Sequence, residues 1–269
     1  MRFVIVLIVL FGVVGGPSTV MAQNNLVDLE LVIAVDVSGS VDDDEAALQR
    51  QGYIKAFRDP KVIEAITRGK VGAIAVTYFE YAGSHHQLTL VDWMRISGPE
   101  SALNFAAALA FEPVMVNVWT SISGAIAAGQ SAFHRSPYYA RRRVIDVSGD
   151  GANNGGALVT VARDLAIADG ITINGLPIIN DKLSRYGRPQ IPNLDYYYID
   201  CVIGGPGAFI IIANGFDDYA RAVRQKLILE IAGVVPIKEP VAKVIPAYGH
   251  DRPSCTIGES LRQDWEDDF

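Results

Sequence analysis

Along the chain, short strand-like apolar runs give way repeatedly to longer stretches at helical spacing, and their order predicts an architecture. Leu29 to Val35 is apolar except for Glu30 and reads as a buried strand. From Asp42 to about Thr67 the pattern is helical: four acids occupy the first turn, where the helix dipole favours negative charge, and Ala47, Ile54 and Phe57 share a face. Pro60 divides that stretch in two. Val71 to Tyr81 is rich in β-branched and aromatic residues, and Gln87 to Trp93 alternates. The short turn Gly83-Ser84-His85-His86 makes them a hairpin and therefore an antiparallel sheet edge.

Pro99 to Phe111 is an alanine-rich helix, followed by a loop over Glu112 to Asn117. Thr120 opens the next helix, with Ile122, Ile126, Gly129 and Phe133 on one face. Arg141 to Arg143 lead into the strand Val144 to Val147, which ends in Ser148-Gly149-Asp150-Gly151. Leu158, Val161, Ala162 and Leu165 mark a helix, and Ile171 to Ile178 a strand interrupted at Gly175 and Pro177. A polar stretch with Tyr196 to Tyr198 precedes a last strand, Ala208 to Ala213. A last helix, Phe216 to about Ile231, carries the stripe Phe216, Tyr219, Ala220, Val223 and Leu227. Strands alternating with helices predict an α/β fold whose mostly parallel sheet is covered on both faces. Prolines at 236, 240, 246 and 253 argue against regular structure beyond the last helix, and Asp264 to Asp268 is acidic, so 236–269 reads as a tail.

Composition narrows the setting. Half of the 269 residues are apolar and 20% are charged, enough for a large core. The net charge of −7 argues against a nucleic-acid or anionic-membrane binder. Arg2, the unbroken apolar run Phe3 to Phe11 and the small-residue end Val20-Met21-Ala22 read as a secretory signal over 1–22, cleaved after Ala22. Its apolar centre is short for a membrane span, an uncleaved anchor being the alternative. The remaining domain runs over 23–235, in the periplasm or outside the cell. Cys201 and Cys255 both fall in the exported part, where they form either one disulfide or two buried thiols.

The candidate chemistry lies at three corners. In Asp36-Val37-Ser38-Gly39-Ser40, a carboxylate and two hydroxyls alternate at the end of the first strand, so all three can face one point. Such hard oxygens suit Mg²⁺, Mn²⁺ or Ca²⁺. Taken singly, this corner is a loop feeding a helix, Thr120 an N-cap and Asp150 a turn residue. In a parallel α/β sheet, however, ligands gather at the carboxyl ends of the strands, where these residues fall.

Together they resemble the von Willebrand factor type A family. The D-x-S-x-S corner, the Thr in Trp119-Thr120-Ser121-Ile122-Ser123-Gly124-Ala125 and the Asp-Gly after the next buried strand look like that family's metal-ion-dependent adhesion site. The likeness spans about Leu29 to Leu229 and is greatest to a secreted bacterial branch of uncharacterised role, through Asp200-Cys201-Val202-Ile203-Gly204-Gly205-Pro206-Gly207-Ala208-Phe209. Two departures stand out: Trp119 where glycine is frequent, and Ser-Gly-Asp-Gly where Thr-Asp-Gly is usual. The resemblance implies a Rossmann-like doubly wound sheet in the order 3-2-1-4-5-6. It also implies a Mg²⁺ (or Mn²⁺/Ca²⁺) site at Asp36, Ser38, Ser40, Thr120 and Asp150. An open position there would take a carboxylate from a protein or surface partner.

Two rivals remain. One is a scaffold of the same fold that binds no metal. The other is a metal-dependent hydrolase, against which stand the lack of a G-x-S-x-G elbow and the placement of His85, His86, His134 and His250 outside the three corners. Phosphate loops are not matched, and an aspartate-nucleophile phosphatase would want a carboxylate where Ser38 stands.

Overall fold

The computed structural model describes residues 25–111, 116–184, 187–233 and 252–267. The strands are β1 (Leu29–Asp36), β2 (Ile74–Tyr81), β3 (Gln87–Ile96), β4 (Arg143–Gly149), β5 (Thr172–Ile179) and β6 (Ala213–Asn214). The helices are α1 (Asp43–Phe57), α2 (Pro60–Thr67), α3 (Pro99–Phe111), α4 (Ile122–Arg135), α5 (Val159–Ala168), the short α6 (Leu194–Tyr197), α7 (Tyr219–Ala232) and α8 (Ile257–Asp267). The predicted signal over 1–22, most of the Glu112 to Asn117 loop and the tail's first three prolines lie outside the described residues.

The strands make one sheet in the order β3-β2-β1-β4-β5-β6, parallel except for the β2–β3 hairpin at one edge. Every residue of β1 is buried, because both of its faces are covered; hence its continuous apolar run. One core, with Tyr53, Phe57, Phe105, Val223 and Leu227, lies under α1, α2, α3 and α7. The opposite core, with Ile122, Ile126, Phe133, Val159 and Tyr197, lies under α4, α5 and α6. The acidic helix start is a capping box: Asp42 accepts from the Glu45 amide and Glu45 from the Asp42 amide. Asp59 caps α2 with Pro60 in its first turn, which is why the helix breaks there.

The structure departs from the sequence pattern in five places. On α1 the buried face holds Ala46, Tyr53, Ile54 and Phe57, and Ala47 is only half-buried. At α5, the N-cap Leu158 and the helical Val161 and Leu165 are exposed and Val159, Ala162 and Ala166 are buried, the small alanines allowing close packing on α4. The last strand shrinks to Ala213–Asn214. Gly175 bonds through its amide to the Phe209 carbonyl, but Pro177, the next residue facing that edge, has no N–H to continue the ladder. The Tyr196 to Tyr198 stretch is helical, continuing as a π-turn over Tyr198–Val202 that buries Tyr197 and Tyr198. Finally α8 forms beyond Pro253, the last proline of the tail.

A disulfide joins Cys201 to Cys255 and ties α8 back to the domain; such bonds belong to extracellular or periplasmic compartments. Among the described residues no helix is long and apolar enough to cross a membrane.

An ionic cluster lies in the core between α7 and the sheet. Lys226, wholly buried, lies 2.5 Å from Asp146 Oδ1 as an ion pair without hydrogen-bond alignment, and also pairs with Glu230. Burial first, then the Asp146 charge, pushes the Glu230 carboxyl up to about 7, against the pull of Lys226. The folded protein thus holds a proton that the unfolded chain releases near 4.5, so this contribution to stability is full below that pH and is lost as pH rises to about 7. Glu230→Gln should therefore be more stable than the parent by about 1–3 kcal/mol at pH about 8, and the gap should close at pH about 4. Urea unfolding at the two pH values measures it; a gap independent of pH would contradict the assignment.

Candidate metal centre

The five predicted side chains come together. Asp36 is the last residue of β1, and its Oδ1 accepts from the Ser38 amide at 2.8 Å, which turns the chain out of the strand. Gln49 of α1 holds the same corner by donating to the Asp36 carbonyl at 2.9 Å. Ser38 and Ser40 hydroxyls are 3.1 Å apart, Thr120 donates to Ser38 at 3.0 Å, and Ser40 donates to Asp150 Oδ1 at 2.5 Å. A hydroxyl chain thus links the three corners.

Each departure from the family pattern has a local cause. Trp119 adopts φ 67°, the left-handed conformation that glycine takes without strain, and its ring lies under the Arg262 guanidinium at 4.3 Å. Gly149 leaves no room for a side chain, since a Cβ there would stand 2.8 Å from Asp36 Oδ2 and 3.0 Å from the Tyr198 hydroxyl. Thr120 is not the N-cap of α4; Ser121 is, its hydroxyl accepting from the Gly124 amide, so the Thr120 hydroxyl is left to face the centre.

Amides that the sequence pattern did not single out fix the loops. Asn154 Oδ1 accepts from the Thr120 amide at 2.8 Å and Asn153 Oδ1 from the Ser123 amide at 2.9 Å. Gln190 donates to the Asp150 and Ile178 carbonyls. The one available signal was their position, with Asn153-Asn154 directly following Asp150-Gly151.

Among the described residues no cationic side chain pairs with Asp36 or Asp150. Asp36 is fully buried, its Oδ2 has no hydrogen-bond partner among the described residues, and burial followed by the nearby Asp150 charge pushes its carboxyl well up. Burial likewise pushes Asp150 up to about 6, with the Ser40 hydrogen bond opposing and Glu45 adding to it. Two buried carboxylates and three hydroxyls with an oxygen to spare fit a hard divalent cation. Among the described residues no three His, Cys, Asp or Glu side chains form a metal cluster, so hydroxyls would supply most of the ligation here.

Over residues 26–235 the chain matches the family described as Protein of unknown function (DUF1194). No curated protein matches it. Among solved structures it is similar to a von Willebrand factor type A protein from Catenulispora acidiphila, at 13% identity and a TM-score of 0.53, over 76% of this chain and 43% of that one. The pilus adhesin SpaC from Lactobacillus rhamnosus GG aligns at 12% identity and a TM-score of 0.54, over 77% of this chain and 31% of that one. Proximal thread matrix protein 1 from the mussel byssus, in a structure with a zinc-occupied MIDAS motif, aligns at 12% and 0.53, over 76% and 46%. The chain spans less than half the length of each, and at these identities the likeness establishes the von Willebrand factor type A fold.

Proposed function

The chain belongs to the DUF1194 family of proteins of unknown function, and from its von Willebrand factor type A fold we infer that it is an exported binding protein that clasps an acidic partner through a divalent cation. The cation would be held by Asp36, Ser38, Ser40, Thr120 and Asp150, with Mg²⁺ the first candidate and Mn²⁺ or Ca²⁺ the others. The observation that carries this reading is the buried Asp36 oxygen, without a partner among the described residues, beside a second buried carboxylate and a ring of hydroxyls.

When bound, the cation would supply an electrophilic position, since neutral hydroxyls leave more of its charge uncompensated than carboxylates do. The protein's own part is positional. Gln49 and Asn154 hold the corners, Gly149 lets β4 pass close to Asp36, and Ser40 keeps Asp150 turned inward. The domain boundaries proposed are a signal over 1–22, the binding domain over 23–235 and the tail over 236–269. A zinc-occupied site in the mussel relative makes Zn²⁺ worth including in the test.

Millimolar Mg²⁺ is expected to raise the melting temperature by several degrees, as an ion at about 100 times its Kd stabilises by about 2.7 kcal/mol. Asp36→Ala should abolish the rise. No response to Mg²⁺, Mn²⁺, Ca²⁺ or Zn²⁺ in the parent protein would favour a metal-free scaffold instead.

A further inference from the structure

The candidate centre opens into a cleft of about 410 Å³, whose lining includes Ser40, Thr120 and Asp150. One wall comes from Gly258 and Leu261 of α8, beyond residue 235 where the family match stops. This wall is built in. The Cys201–Cys255 disulfide tethers it. Gly258 lies so close to the Asn153 carbonyl that a Cβ would stand 2.1 Å from its oxygen. Arg262 stacks on Trp119 and donates to the Asn154 carbonyl at 3.3 Å. So α8 docks on the same Asn153-Asn154 loop that bonds the Thr120 and Ser123 amides.

The cleft has two chemical zones. Val118, Trp119, Ile191 and Leu261 give it an apolar surface beside the centre. Lys182 and Arg188 of the β5–α6 loop also line it, Lys182 paired with Glu45 but largely exposed. Basic groups at the rim favour an acidic occupant, and the apolar surface favours a large side chain next to the acid.

We propose that this cleft takes a peptide segment in which a carboxylate adjoins a large apolar side chain, with the acid at the Asp36–Asp150 centre and the apolar group on the surface completed by Leu261. The C-terminal helix is then the specificity wall of the clasp. This rests on the metal-binding reading, and the test separates the two.

A random-peptide display library is panned on the disulfide-intact full chain in Mg²⁺ and eluted with EDTA. The eluted peptides should share an Asp or Glu beside Trp, Phe, Leu or Ile. Their affinity should fall about tenfold or more in Leu261→Asp and in Leu261→Ala, the loss that one large apolar contact carries. Both variants should keep the parent's Mg²⁺-dependent rise in melting temperature. Peptides with acids but no apolar neighbour, undiminished binding to both variants, or no EDTA-released peptides despite a Mg²⁺ rise would overturn the proposal. So would loss of that rise in both variants, because the wall would then be supporting the centre rather than selecting the peptide. Absence of any Mg²⁺ rise in the parent chain marks failure of the metal-binding reading, and this proposal falls with it.

Discussion

Lys226→Met is expected to cost about 3–5 kcal/mol of folding stability at neutral pH, because it removes the cation from a buried ionic cluster and leaves two carboxylates facing each other. Lys226 is wholly buried on α7, between Asp146 of β4 and Glu230 one turn further along the helix. Methionine fills a similar volume, so the loss reports charge rather than a cavity. Burial already pushes Asp146 and Glu230 up with the ammonium present. Without it they can only bind protons, and the deficit should shrink as pH falls. Adding Glu230→Gln and Asp146→Asn should recover most of the loss. Urea unfolding of the single and triple variants measures both effects, and a deficit under about 1 kcal/mol at neutral pH would show that the cluster is not the strong constraint its burial implies. The cluster does not touch the candidate metal centre, so the Mg²⁺ response should survive in the triple variant.

The contrast between these two buried polar sites shows what the amino-acid pattern makes legible. The centre could be read because each of its corners is local: a strand end, a helix start and a turn, each with its oxygens within a few residues. The sheet order 3-2-1-4-5-6 came with the family likeness and agrees with the structure. The ionic cluster left no trace, because Lys226 and Glu230 sit four apart on a helix and read as a surface pair, and only the fold places Asp146 against them. Much the same holds for Asn153, Asn154 and Gln190, whose bonds to the Ser123 and Thr120 amides and to the Asp150 and Ile178 carbonyls span 12 to 40 residues. The buried face of α5 is not legible in the sequence, because apolar residues occur on both of its sides, and burial goes to the one with alanines, where helices approach most closely. The tail helix was hidden by prolines that stop at Pro253, four residues before α8 begins. Trp119 is the instructive departure: a residue type that looked wrong for its corner takes the glycine-like conformation, with the stacked Arg262 on its ring.

Asp36→Asn should act in opposite directions with and without metal. In chelator it is expected to raise stability by about 1–3 kcal/mol, since it removes one of two neighbouring buried charges. The amide keeps the carbonyl oxygen that accepts from the Ser38 amide at 2.8 Å, and with it the turn out of β1. Asp36→Ala gives no such gain: it orphans the Ser38 amide and opens a cavity beside Tyr198. In chelator the order of melting should therefore be Asn above Asp above Ala. In saturating Mg²⁺ the parent alone should rise, by enough to close or reverse its deficit against the Asn form, because only the carboxylate matches a cation's charge. Differential scanning calorimetry of the three proteins in EDTA and in Mg²⁺ gives the order directly. An Asn form that melts below the parent in EDTA would mean that Asp36 is a structural carboxylate, stabilised by its surroundings as they stand, and the case for a cation at this corner would lose its main support. An Asn form that gains in EDTA and ignores Mg²⁺ would show a carboxylate kept at a cost to folding, which is what a binding function at this position requires.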